Sequence, residues 1–265
     1  MKIILVGYGK MGRLLEARLA DNGNQVLAVV DPCCPQTIGG GVPVYASLED
    51  ALKGEPGKSL KDADAVIEFT KPGAAAGNLL FLAKEKIPTV TGTTGWFDKL
   101  PEISRAVTDA GSSLIWASNF SLGVNLFFRI AATAATLIDP FAEYDVAGFE
   151  SHHNKKADSP SGTAKVLVER VLEKMTRKNK AVYDMLDRPP AADEIHCASV
   201  RIGAVPGTHS IFFDSSADTI EITHTARSRE GFAAGAVLAA QWLTEKKRTG
   251  VFTIDDALSE ILPQQ

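Results

Sequence analysis

Two adjacent histidines, His152 and His153, are followed by Lys156. A Pro160-Ser161-Gly162-Thr163 turn then leads into an apolar segment with helical spacing. Imidazole exchanges protons near neutral pH, so a histidine beside a bound anion can give or take a proton. A lysine ammonium supplies fixed positive charge, either for a carboxylate or for charge that develops in a transition state. Hydroxyls and backbone N–H groups at a helix start, here Ser161, Gly162 and Thr163, form an anion site suited to a carboxylate. The same residues also fit a solvated loop with a plain helix cap. A zinc site is a further alternative, but no cysteine or additional histidine lies at ligand spacing, and no metal is expected.

A second group lies at the start of the chain. Gly7-Tyr8-Gly9-Lys10-Met11-Gly12 follows the apolar run Lys2 to Val6 and opens a segment with helical spacing. Strand, glycine turn and helix in that order are what a dinucleotide site requires. Gly7 permits the tight turn, Gly9 lets a pyrophosphate approach the backbone, and Gly12 allows close packing of helix on strand. Asp31 lies 19 residues after Gly12, at the end of the next predicted strand. A carboxylate there suits ribose hydroxyls and repels a 2′-phosphate. Lys10 and Arg13 remain as candidate phosphate partners or as ordinary solvated charge. NADH is therefore favoured, with NADPH tolerated.

These groups need a scaffold. Lys2–Val6, Gln25–Val30, Ala65–Phe69, Thr89–Thr91 and Ser113–Ala117 read as buried strands alternating with helices, among them Ala74–Lys86 and one capped by Ser47. That alternation predicts a Rossmann-type doubly wound parallel sheet over residues 1–119. Cys33 to Pro43 reads as loop. After residue 119 the pattern changes to a buried helix over Val124–Leu137, a strand over Tyr144–Glu150 and an amphipathic helix over Thr163–Met175. Alternating segments at Ser199–Ile202, His209–Phe213 and Thr219–His224 follow. They predict a second, α+β domain over residues 120–230 with a mostly antiparallel or mixed sheet. The alanine-rich segment Phe232–Leu243 reads as a buried helix, and residues 231–265 are expected to return to the first domain.

Composition narrows the classes. Hydrophobic residues at 45% and charged residues at 23% describe a globular chain, which excludes disorder as the main state. A net charge of −4 leaves no basic face for nucleic acid. The apolar start is cut by Gly7 and Gly9, and no later run reaches the roughly 20 residues that span a bilayer, so a cytoplasmic protein is expected. Three cysteines, two of them adjacent, are too few for a disulfide scaffold and read as free thiols.

The run Glu150-x-His152-His153-x-x-Lys156-x-Asp158-x-Pro160-Ser161-Gly162-Thr163-Ala164 resembles the signature of the dihydrodipicolinate reductase family of diaminopimelate and lysine biosynthesis. The likeness covers the whole chain. Val66-Ile67-Glu68-Phe69-Thr70 is similar to the family's third cofactor strand, and Thr91-Gly92-Thr93-Thr94-Gly95 to its nicotinamide-side loop. Ala117-Ser118-Asn119-Phe120 through Asn125 is similar to its interdomain segment. Val200-Arg201-Ile202-Gly203, Pro206-Gly207-x-His209 and Glu221-Ile222-Thr223-His224 match its late strands. The glycine motif is one residue shorter than the common family form. Lys10, Glu68 and Ser118 stand where Arg, Asp and Pro are usual.

The resemblance implies an NAD(P)H-dependent reductase that transfers hydride to a cyclic unsaturated dicarboxylate, giving tetrahydrodipicolinate. It makes His152 the acid–base residue and Lys156 the proton donor, with His153, Ser161, Gly162 and Thr163 binding substrate. Gly7 to Gly12, Asp31, Phe69, Thr70, Gly92, Thr93, Thr94, Ala117, Ser118, Asn119 and Phe120 would bind the cofactor. A homotetramer built from the second domain is implied as well. Another reductase of the same architecture, such as an aspartate or homoserine dehydrogenase-like enzyme, and a nicotinamide-binding regulator without turnover are the alternatives.

Overall fold

The computed structural model describes residues 1–34 and 37–263. The chain begins with β1 (Lys2–Val6), α1 (Lys10–Asp21), β2 (Gln25–Val30), β3 (Thr37–Ile38), β4 (Val42–Tyr45) and α2 (Leu48–Leu52). It continues through β5 (Ala65–Glu68), α3 (Pro72–Lys84), β6 (Thr89–Thr91), α4 (Leu100–Ala110) and β7 (Ser113–Trp116). Then come α5 (Leu122–Ile138), β8 (Asp145–His152), α6 (Gly162–Leu172), β9 (Lys180–Val182), β10 (Glu194–Arg201), β11 (Thr208–Asp214) and β12 (Thr219–Thr225). α7 (Glu230–Glu245), β13 (Gly250–Thr253) and α8 (Ile254–Ile261) complete it. Two compact units result, one from the described residues of Met1–Ser121 and Arg229–Gln265, the other from Leu122–Ser228.

The first unit is an eight-stranded sheet in the order β13-β7-β6-β5-β1-β2-β4-β3. All its pairs are parallel except β3 with β4. The apolar run of β1 is continuous because helices cover both faces of a doubly wound sheet, and Ile3, Ile4 and Leu5 are wholly inaccessible. α1 packs Gly12, Leu15 and Leu19 inward. Ser47 caps α2 by accepting the Asp50 N–H at 3.1 Å. α7 lies on α1 and on β5, β6 and β7. Trp242 on α7 stacks under Arg248, 3.9 Å from the guanidinium carbon, and donates to Glu260 of α8.

Two expectations change here. The stretch read as loop from Cys33 to Pro43 contains β3, a turn of 3-10 helix at Gly39–Gly41 and the start of β4, with positions 35 and 36 outside the described residues. Glycine and proline hid a short antiparallel pair that extends the sheet edge. β13 and α8 had also not been anticipated.

The second unit is a five-stranded sheet in the order β12-β11-β8-β10-β9, with α5 and α6 contributing to a core that includes Phe127, Leu167, Val168, Ile211 and Phe213. It is mixed rather than mostly antiparallel: β10 runs parallel to β8 and β9, while β11 is antiparallel to β8 and β12. The reason is the connection. β8 reaches β10 through a crossover containing α6, which permits parallel pairing, whereas β11 and β12 are joined by a tight turn. β8 therefore sits in the middle with a different neighbour on each side. Among the described residues no helix is long and apolar enough to cross a membrane.

Candidate active site

β8 runs two residues beyond the predicted end at Glu150 and carries Glu150 and His152 on one face, since strand residues alternate sides. Glu150 is fully buried and His152 nearly so. The Glu150 Oε2 meets His152 Nδ1 in a short contact. Its other oxygen accepts from Arg201 Nη1 at 2.9 Å and from the Ser161 N–H at 3.3 Å. Arg201 is opposite His152 on β10, and His209 is opposite Glu150 on β11. The His209 ring stands edge-on to His152, with centroids 5.0 Å apart, and its Nε2 lies 3.1 Å from Ser161 Oγ. Ser161 caps α6, its hydroxyl accepting the Ala164 N–H at 3.1 Å.

A buried carboxylate survives only with partners. Burial alone raises the Glu150 pKa, but Ser199, Arg201 and His152 outweigh it and hold the carboxyl below its ordinary value. For His152, burial pushes the imidazole down. Glu150 pulls it up, and Lys156 and Arg201 oppose that pull, so the net shift is downward. His209 is pushed to about 4 by burial and by His152. Both rings are thus neutral at pH 7. The Glu150 partner assigns the His152 proton to Nδ1 and leaves a lone pair at Nε2. Gly207 faces that nitrogen; a Cβ there would lie 2.9 Å from Nε2.

Lys156 and His153 are half-buried, and Lys156 donates to Asp158 Oδ1 at 2.7 Å. The Asp158 carboxylate is held low first by Lys156 and also by the backbone N–H of Gly162. Asp158 therefore connects two groups that the sequence assigned to a bound carboxylate, the lysine and the first turn of α6. Glu150, His152 and His209 could be taken for metal ligands, since ligand atoms from all three lie within 4.8 Å of one another. The Arg201 guanidinium on Glu150 makes this instead a hydrogen-bonded cluster already balanced by a cation.

The glycine turn of the first unit is built differently. Gly7 has φ +92°, and a Cβ on it would collide with the Phe69 carbonyl. Nothing lies within 4 Å of the Cβ position of Gly9, which begins α1 without a side-chain cap. The Asp31 carboxylate accepts the Tyr8 N–H at 2.7 Å and the Cys33 N–H at 2.8 Å, so it braces the turn. Lys10 is exposed, and Met11 is half-buried beside it. Thr93 Oγ1 accepts the Thr70 N–H at 2.7 Å, and buried Glu68 accepts from Thr70 and from Thr91, the latter at 2.6 Å. Phe69 packs on Phe120 with centroids 6.2 Å apart and beside Gly92. Thr94 is exposed beyond β6. Ala117 and Ser118 follow β7, and Asn119 accepts the Ser121 N–H at 2.8 Å. All these residues lie at or just beyond the carboxyl ends of β1, β2, β5, β6 and β7, where open α/β sheets bind ligands.

The sequence had named the residues of one loop, His152 to Thr163. It gave no role to Glu150, Arg201 or His209, although all three stand in the motifs quoted above. The two-residue step from Glu150 to His152 was a usable signal; the strand order that adds Arg201 and His209 was not.

A doubly wound sheet with a glycine turn at its first strand, joined to a separate unit bearing a buried carboxylate–imidazole pair, defines a Rossmann-type oxidoreductase. Residues 1–120 match the family described as dihydrodipicolinate reductase, N-terminus, and residues 123–258 match dihydrodipicolinate reductase, C-terminus. A 4-hydroxy-tetrahydrodipicolinate reductase of Christiangramia forsetii is 38% identical over 98% of this chain and 99% of its own. One from Archaeoglobus fulgidus is 36% identical over 97% of this chain and 100% of its own. The chain belongs to the dihydrodipicolinate reductase family. Its fold is shared with a dipicolinate-bound dihydrodipicolinate reductase from Paenisporosarcina sp. TG-14, with a TM-score of 0.77, 23% identity and 99% of each chain covered.

Proposed function

We propose that the protein reduces 4-hydroxy-tetrahydrodipicolinate to tetrahydrodipicolinate with NADH or NADPH, NADH being favoured, on the route to diaminopimelate and lysine. The observation that carries this is the meeting, in one unit, of the Glu150–His152 pair with the α6 N-terminus and Lys156. A nicotinamide dinucleotide fits the first unit: the outward face of Gly9 is clear, and the α1 N-terminus has no side-chain cap to compete with a phosphate. Gly7 to Gly12 would hold the pyrophosphate and Asp31 the ribose. Phe69, Thr70, Gly92 to Thr94 and Ala117 to Phe120 would line the nicotinamide side. When bound, the reduced cofactor supplies hydride.

The protein's own residues do the rest. The substrate has two carboxylates, and Ser161, Gly162 and Thr163 receive one of them. Lys156, released from Asp158, meets the other and stabilises charge as it moves through the ring. His153, half-buried beside this loop, contacts the substrate. Loss of water from the hydroxylated ring and addition of hydride to its double bond leave a conjugated anion that needs one proton. The Lys156 ammonium delivers that proton and becomes a neutral amine; His152, neutral with a lone pair at Nε2, takes up the next proton and returns it to the amine, Glu150 stabilising the imidazolium in between.

The exposed apolar residues Val200, Ile202 and Ile220 are the kind of surface another copy covers, and we assign the protein a homotetramer. A cytoplasmic location agrees with Cys33, Cys34 and Cys197 being free thiols. The test is loss of reduced-cofactor absorbance with freshly generated substrate, run with each cofactor, beside aspartate semialdehyde alone. Turnover of the semialdehyde, or none with either compound, would sink the assignment.

A further inference from the structure

We propose that Glu150 is a positioning residue for catalysis, a single carboxylate that fixes the His152 tautomer and ties that imidazole to the anion-binding turn at α6. The proposal rests on the acid–base role given to His152 above. The two Glu150 oxygens are divided. One engages His152 Nδ1, and the other takes the Ser161 N–H and Arg201 Nη1. Because Glu150 is fully buried, water cannot replace any of these partners cheaply. Arg201 is anchored in turn, its Nη2 donating to the Asp158 carbonyl at 2.6 Å, so the guanidinium links Glu150 to the loop that carries Lys156. A tilt of the carboxylate would therefore move the proton-carrying ring and the carboxylate-binding turn together.

Charge adds to geometry. The groups acting on His152 come from every side: Glu150 on its own strand, Lys156 on the following loop, Arg201 on β10 and His209 on β11. Among them Glu150 is the only one that stabilises the imidazolium. Substituting Gln keeps the size and most hydrogen bonds but removes that charge. The imidazolium is then harder to form, and the ring is free to carry its proton on either nitrogen.

The experiment compares Glu150→Gln, His152→Gln and the double variant, with kcat and KM measured across pH. Thermal melting and reduced-cofactor binding report on folding. Glu150→Gln is expected to lower kcat by roughly 10–10³-fold with little change in KM, and to move the kcat limb set by His152 to lower pH. In the His152→Gln background the same substitution is expected to cost less than about threefold, because its route of action is gone. Equal losses in both backgrounds, or an unmoved pH limb, overturn the proposal and leave Glu150 a structural residue. Wild-type kcat in His152→Gln overturns both this proposal and the acid–base assignment beneath it. If Glu150→Gln does not fold because Arg201 is left uncompensated, Glu150→Gln/Arg201→Gln measured against Arg201→Gln carries the same comparison.

Discussion

After β1 the groups presented outward belong to the backbone: Gly9 stands clear, and the first turn of α1 has no side-chain cap. After β8 the working groups are side chains gathered from three strands and a helix start. A backbone site tolerates almost any sequence around it provided its glycines stay, because the N–H groups come with the chain. A side-chain site has the opposite weakness: exchanging one member for a residue of similar size changes little of the backbone, yet removes a group the chemistry needs. The first unit should therefore fail by misfolding and the second by losing rate.

The largest effect should separate them most cleanly. His152→Gln is expected to lower kcat by roughly 10²–10⁴-fold while reduced-cofactor affinity and melting temperature stay near wild type. Cofactor affinity falling in parallel would show that the two regions are not separable. In the first unit, Gly7→Ala should behave in reverse. Its Cβ would collide with the Phe69 carbonyl at φ +92°, so about 2–4 kcal/mol of stability should be lost, as read from denaturant midpoints, with cofactor affinity falling too. Wild-type stability in that variant would mean the turn relaxes and is not set by the glycine.

Acid should reach the second unit through its histidines. The His209 pKa is lowered to about 4 in the folded chain, so the unfolded chain binds the extra proton between there and its ordinary value near 6.5. Stability from keeping this ring neutral is complete above about 6.5 and is lost as pH falls toward 4, amounting to at most about 3 kcal/mol. Melting temperature against pH should show that slope in the wild type and a shallower one in His209→Gln. The smallest effect concerns Asp158, which already occupies Lys156 and the Gly162 N–H. Asp158→Asn weakens that internal competitor and is expected to lower the substrate KM by about two- to fivefold, near 1 kcal/mol or less. A raised KM would make Asp158 part of the binding surface instead.

The same contrast explains what could be read from the sequence. Strand, turn and glycines of the first site occupy consecutive residues, so β1 to α1 was legible as it stands. Asp31 was legible as the residue ending β2. Its bracing of Tyr8 was not, because that depends on how β2 lies against β1, where the register shifts between Ile3 and Ile4. In the second unit His152, Lys156 and Ser161 share one short loop and could be named together. Arg201 and His209 could not, because they reach Glu150 only through the strand order, in which β8 lies between their strands. Glu150 then looked like an ordinary strand residue, although it is flanked by both. β13 and α8 were overlooked despite a signal: Thr253 and Asp256 form a capping box, visible in the residue types at that spacing.

The first unit takes its strands from both ends of the chain, and β13 pairs with β7 only after the whole second unit has been made. On the ribosome, β7 emerges with one edge unpaired. At about 5–20 residues per second, the intervening chain keeps that edge waiting for several seconds or more. An apolar strand edge left open is a site for wrong pairing with another nascent chain. Yield in the cell should thus depend on how quickly Leu122–Ser228 is translated and released, so slow codons in that stretch would cost soluble protein without changing a single residue of either site.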